Sequence, residues 1–370
     1  MKTSSEDLLA LIRAIKNKVR RPLRVMEFCG THTVSIAKSG LRGLLSPELE
    51  LVSGPGCPVC VTAQRDLDAM IAFARMKDVI IATFGDLLRV PGSETTLEKE
   101  RARGADVRVI YSPQDALQIA HNNTHKNIVF PGVGFETTAP AVALAVRQAR
   151  ESGLKNFFLY SSLKKTPPVM HALLSGDIDI DGLLLPGHVS TIIGRRVQEF
   201  VSREYGLPAA ITGFSEMDIV YSLASLVLMI NKGKADVLNC YRRAVREEGN
   251  RIAVNLMEET FVAFPAEWRG FGKVPESGMT LRQEYSGFDA DRYYGPQVTT
   301  SGEEAFTGCR CGEVLRGKIV PTACAYFAHD CMPEKPLGPC MVSSEGACAA
   351  YYRYNRRRGD ENEPNCPGAW

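Results

Sequence analysis

Four short glycine-bearing segments carry side chains able to do chemistry: Cys29-Gly30-Thr31-His32, Gly54-Pro55-Gly56-Cys57-Pro58-Val59-Cys60, Phe84-Gly85-Asp86 and Pro186-Gly187-His188-Val189-Ser190. A thiol just ahead of a helix is drawn toward the thiolate by the partial positive charge there. Cys29 precedes a helical pattern, and Cys60 precedes one expected from Gln64. A Cys-x-x-Cys pair either chelates one metal or closes into a small disulfide. Three soft thiols in one place suit iron or another borderline metal, or thiol redox chemistry, better than hydrolysis. Two rival readings are a structural zinc site of Cys29, His32, Cys57 and Cys60, and a thioredoxin-like redox pair.

Gly134-Phe135-Glu136-Thr137-Thr138 adds a carboxylate. Glu136 is a candidate acid/base or hydrogen-bond acceptor, and the threonines are candidate caps for the next helix. His188 is a functional candidate with a satisfied structural histidine as its alternative. Asp86 and Arg89 could pair with each other. Six further cysteines, Cys309, Cys311, Cys324, Cys331, Cys340 and Cys348, fall within 40 residues. That number suffices for an iron–sulfur cluster with two thiols left over, and structural zinc is the rival. Spacing alone does not say which four ligate. Cys366 lies in a polar tail and reads as incidental.

The elements that must position these residues alternate. Strands are expected at Leu23–Phe28, Glu50–Val52, Val79–Thr83, Val107–Tyr111, Ile128–Phe130, Phe157–Tyr160, Leu183–Leu185 and Ala209–Ile211. Helices are expected at Gln64–Arg75, Pro113–His121, Pro140–Glu151, Thr191–Tyr205, Glu216–Asn231 and Asp236–Phe261. An opening helix has Leu8, Leu11, Ile12, Ile15 and Val19 on one face, with Thr3 and Glu6 as a capping box. Apolar strands alternating with helices imply parallel sheets, hence an α/β fold. In such sheets the loops at the carboxyl ends of the strands converge on one crevice. The expected division is an α/β unit over 1–122 with the Cys29 and Cys57/Cys60 loops, a second doubly wound unit over 123–235, and a helical, irregular, cysteine-rich domain over 236–370.

Composition narrows the function. Lys and Arg number 44 against 42 Asp and Glu, a net charge of +2, with no basic excess for a nucleic-acid backbone. No apolar run reaches a membrane span, and the acidic start lacks a signal-peptide core. Eleven cysteines in such a chain read as reduced thiols of a cytoplasmic protein, favouring metal or redox work over a disulfide framework. There is no phosphate-binding Gly-x-x-x-x-Gly-Lys-Ser/Thr loop and no Gly-x-Ser-x-Gly elbow.

Taken in order, the cysteine and histidine segments above, Thr83-Phe-Gly-Asp-Leu-Leu-Arg-Val-Pro-Gly92, Gly134-Phe-Glu-Thr-Thr138 and Met341-Val-Ser-Ser-Glu-Gly-Ala-Cys-Ala-Ala350 resemble the HypD family of nickel–iron hydrogenase maturation proteins. The resemblance spans residues 22–352. It implies two α/β domains and a third domain holding a 4Fe–4S cluster, with Cys311, Cys324, Cys331 and Cys348 as ligands and Cys309 and Cys340 left to pair beside it. It implies essential thiols at Cys29, Cys57 and Cys60, with iron held at Cys29 as an Fe(CN)2CO group is assembled. It also implies two partners, a small HypC-type chaperone and a HypE-type cyanide donor. Apolar residues such as Val59 are expected to form the chaperone's docking surface. Competing functions are an iron–sulfur thiol–disulfide reductase resembling ferredoxin–thioredoxin reductase, and a zinc-stabilised interaction protein.

Overall fold

Strands form where apolar runs are bounded by glycine, proline or charge. Val79–Thr83, all apolar but its last residue, is buried along its whole length, as is Gly182–Pro186. Burial on both faces leaves backbone pairing as the way to satisfy these segments' amides. A computed structural model describes residues 5–295, 298 and 308–354.

β1 (Leu23–Glu27) and β2 (Leu49–Ser53) begin a first sheet. The chain then crosses to a second sheet for β3 (Val79–Thr83), β4 (Val107–Val109), β5 (Asn127–Gly134) and β6 (Phe157–Leu163). It returns for β7 (Gly182–Pro186), β8 (Ala209–Thr212) and β9 (Val237–Asn239). The orders are β2-β1-β7-β8-β9 and β4-β3-β5-β6, with every pairing parallel. An antiparallel hairpin, β10 (Phe261–Trp268) and β11 (Gly272–Leu281), follows.

Alternation along the strands builds three apolar clusters. Met26, Leu183 and Leu185 of the first sheet share one with Ile81, Val129 and Phe158 of the second. Their neighbours Val25 and Leu184, and Ile80 and Ile128, point into the two outer clusters. Each sheet thus turns one face to a common core and the other to its own helices.

Each sheet reverses its winding once, and that switch point opens a crevice at the carboxyl ends of the flanking strands. In the first sheet the switch lies between β1 and β7, which lead into Cys29 and His188. In the second it lies between β3 and β5, which lead into Asp86 and Glu136.

The expected α/β class and parallel sheets are present, but the strands do not sort by sequence as expected. β5 pairs with β3 across the boundary at 122/123, and β9 belongs to the first sheet although it lies beyond 235. The helix expected over Thr191–Tyr205 is broken at Gly194, whose φ of 82° ends the first turn. Gly194 packs on Gly249, another positive-φ glycine, with no room for a Cβ on either. The helix expected over Asp236–Phe261 is β9, a loop, and the helix Arg251–Thr260. The Thr3 capping box and Cys366 lie outside the described residues. Among the described residues no helix is long and apolar enough to cross a membrane.

Candidate functional site

β1 delivers Cys29 to the start of the helix Gly30–Lys38, in extended backbone geometry (φ −156°, ψ 124°). The Cys57 loop lies directly on it. Gly30 N–H donates to the Gly56 carbonyl at 3.0 Å, and a Cβ on Gly56 would overlap the Cys29 backbone. Cys57 and Cys60 are joined as a disulfide with Cα atoms 5.2 Å apart, while Cys29 is a free thiol. All three are buried.

In this state two of the three expected thiolates are tied to each other. Among the described residues no group of three or more His, Cys, Asp or Glu is placed to hold a single metal ion. His32 does not complete a zinc site either. Its Nε2 donates to the Gly213 carbonyl at 3.0 Å, and its ring stacks on Phe214. Burial lowers its pKa to about 4, so the ring is neutral, with Nδ1 buried and unpartnered.

The helix start does not make Cys29 a thiolate. Burial pushes the thiol up to about 12, and the negative charges of Glu345 and Glu27 add to the rise. The amides of His32 and Thr31 oppose it, more weakly. Desolvation outweighs the helix end because the sulfur is cut off from water. The thiol is therefore protonated at neutral pH.

The crevice also holds residues that motif reading missed. Glu27 is buried beneath Cys29, accepts the Cys29 amide at 3.2 Å, and is raised to about 7 by burial against the opposing pull of Arg42. Phe214 is sandwiched between the rings of His32 and exposed His188, with centroids 4.7 and 3.8 Å away. Glu345 accepts from the Thr31 hydroxyl at 2.5 Å, and Ser343 Oγ lies 3.4 Å from Cys57 Sγ. Asp86 accepts from the hydroxyls of Ser343 and Ser344 rather than pairing with Arg89. Val59 is buried, so the exposed rim consists instead of His188, Asp86 and Ser344.

Glu136 is not brought to this crevice. Its Oε1 accepts from the amide of Thr166 at 2.8 Å, at the start of the helix Thr166–Leu174. Thr138, expected as a cap, makes no side-chain capping bond. Oε2 is buried without a partner beside a groove of about 920 Å³. Burial raises Glu136 from 4.5 to about 7. Between those values the folded chain keeps a proton the unfolded chain has lost, so stability falls as pH rises through that window. Glu136→Gln keeps the acceptor for Thr166 and cannot ionise. Unfolding free energies from urea titrations at pH 5 and pH 8 should show the wild type losing up to about 3 kcal/mol more than the variant. Equal losses would contradict this.

The C-terminal cysteines form a second centre. Cys309, Cys311, Cys324, Cys331 and Cys348 line one cavity, walled by Val314, Phe327, Leu337 and Met341. Cys311, Cys324, Cys331 and Cys348 are free thiols, as is Cys340, which is absent from that lining. Cys311 is strongly favoured as thiolate by hydrogen bonds from Cys309 and then Cys340, against burial. Cys309 and Cys340 therefore flank Cys311 instead of pairing with each other. Leu337 N–H points at Cys331 Sγ at 3.4 Å. Clustered soft thiols in an apolar cavity, with an amide on one sulfur, fit an iron–sulfur cluster.

One segment connects the centres. Cys340 sits in the short helix Pro339–Val342, the next residue Ser343 meets Cys57, Glu345 meets Thr31, and Cys348 follows in the helix Ala347–Tyr354. Two parallel α/β sheets with a buried thiol–disulfide crevice, set beside a cysteine-lined cavity, define a class of thiol proteins built around two sulfur centres.

The family model HypD, described as "Hydrogenase formation hypA family", matches residues 4–355, and the chain belongs to that family. Hydrogenase maturation factor HypD of Rhodobacter capsulatus is 41% identical over 367 residues, covering 96% of this chain and 97% of that protein. Hydrogenase expression/formation protein HupD of Azotobacter chroococcum mcd 1 is 44% identical, covering 96% and 95%. Hydrogenase maturation factor HypD of Escherichia coli (strain K12) is 39% identical, covering 96% and 97%.

Proposed function

We propose that this chain is a hydrogenase maturation factor that holds iron at Cys29 while an Fe(CN)2CO group is assembled. The observation that carries the reading is the free Cys29 thiol at the sheet's switch point, on backbone packed against the loop that holds the Cys57–Cys60 disulfide. Iron is cargo here: it displaces the Cys29 proton, a deprotonation that burial otherwise opposes. The amides of His32 and Thr31 face the sulfur and stabilise its negative charge once the proton has left. Neutral His32 keeps Nδ1 free as an acceptor. A small HypC-type chaperone docks on the rim of His188, Asp86 and Ser344, and a HypE-type partner donates cyanide.

A 4Fe–4S cluster, held by Cys311, Cys324, Cys331 and Cys348, supplies one-electron chemistry when bound. Cys57 and Cys60 interconvert between dithiol and disulfide, releasing or taking up two electrons and two protons. The disulfide itself favours a second reading, a standalone thiol–disulfide reductase, which needs no iron–cyanide group.

Mass mapping after alkylation tests the redox pair. Reduced protein should be alkylated at both Cys57 and Cys60; mildly oxidised protein should be protected at both and regain reactivity with a dithiol. A pair that stays alkylatable after oxidation would remove the redox role.

A further inference from the structure

The tip of the β10–β11 hairpin is wedged between the two sulfur centres. On one side Arg269 grips the chain leaving the disulfide. Its amide donates to the Val61 carbonyl at 2.9 Å, Nε donates to the Thr62 carbonyl at 3.2 Å, and Nη2 donates to Gln64 Oε1 at 2.8 Å. Val61 directly follows Cys60. On the other side Gly270, with φ +84°, lies so close to Gly312 that a Cβ would stand 2.6 Å from its Cα. Gly312 directly follows Cys311. Arg269 as a whole is only 8% exposed. A buried charge is costly unless its donors are satisfied, and here they are spent on the segment after Cys60, while the next residue, Gly270, lies against the turn that carries Cys311.

We propose that Arg269 is the positioning residue that couples the Cys57–Cys60 pair to the C-terminal cysteine centre, by fixing the segment after Cys60 against the turn that carries Cys311. This rests on the redox reading above and names the residue through which the two centres sense each other. Opening the disulfide releases the Val61 and Thr62 carbonyls from their fixed places. Arg269 follows them, and Gly270 transmits the shift to Gly312. Coupling between sites is reciprocal, so the state of the cysteine centre biases the disulfide by the same factor.

The test is hydrogen–deuterium exchange of the peptide spanning 309–316 in the full-length chain. It is compared with the pair closed and with the pair opened by a dithiol, which delivers two electrons and two protons and leaves as its own disulfide. In wild type, exchange there should differ about tenfold between the two states. In Arg269→Gln the two states should exchange alike. Gln64→Leu, which removes one bond and leaves the guanidinium in place, should reduce the ratio and serves if Arg269→Gln does not fold. Because the ratio is taken within one variant, a general loss of stability does not move it. Equal exchange in wild type, or an undiminished ratio in either variant, would overturn the proposal. Iron content, assayed separately, reports on the cluster and leaves the exchange ratio to decide the coupling.

Discussion

Cys311→Ala protein, prepared without oxygen, should hold essentially no cluster iron, where the wild type should hold about four irons per chain with broad visible absorption. Cys311 is the buried thiol most strongly favoured as thiolate, because Cys309 and Cys340 both donate to it. Removing it leaves those donors without their acceptor and takes one of the sulfurs from the cavity wall. Structural metal binding is linked to folding, so the variant should also lose order between residues 308 and 354. Cys366→Ala should keep the iron. Full iron occupancy in Cys311→Ala would move the ligand to Cys309, which lines the same cavity, or to Cys340.

Cys29→Ala should lose the iron cargo while keeping the chaperone. The thiol is buried and contributes almost nothing to the exposed rim, so docking area survives its removal. The neighbouring sulfurs do not substitute for it while they are joined as a disulfide. Copurification should therefore return both chains with cargo iron near background. Cargo iron retained at the wild-type level would place the ligand elsewhere.

Much of this site was legible in the residues. Runs such as Val79–Thr83 are apolar at every position but the last, and their ends fall where glycine or proline stops pairing. The loops at those ends carry the reactive side chains because parallel sheets place them on one edge. Which sheet each strand joins was hidden, since β3 and β7 have the same apolar character and long crossovers permit either partner. The β10–β11 hairpin is not legible in the sequence because a register shift between Phe264 and Ala266, around Pro265, scrambles its alternation. The protonation of Cys29 is not legible in its motif because a helix start is local, whereas burial depends on Gly56 and Glu345, far away in sequence. Arg269 and Phe214 have no motif around them, and contacts alone reveal them. The Glu136 motif was visible, but it faces a different groove.

The most direct measurement of the central claim is the infrared spectrum of the full-length chain copurified anaerobically with its small chaperone. Iron assembled at Cys29 should show cyanide and carbonyl stretches in the wild-type complex, and neither in the Cys29→Ala complex. A wild-type complex that carries its iron–sulfur cluster yet shows no such stretches would contradict the scaffold reading and leave a thiol–disulfide reductase in its place.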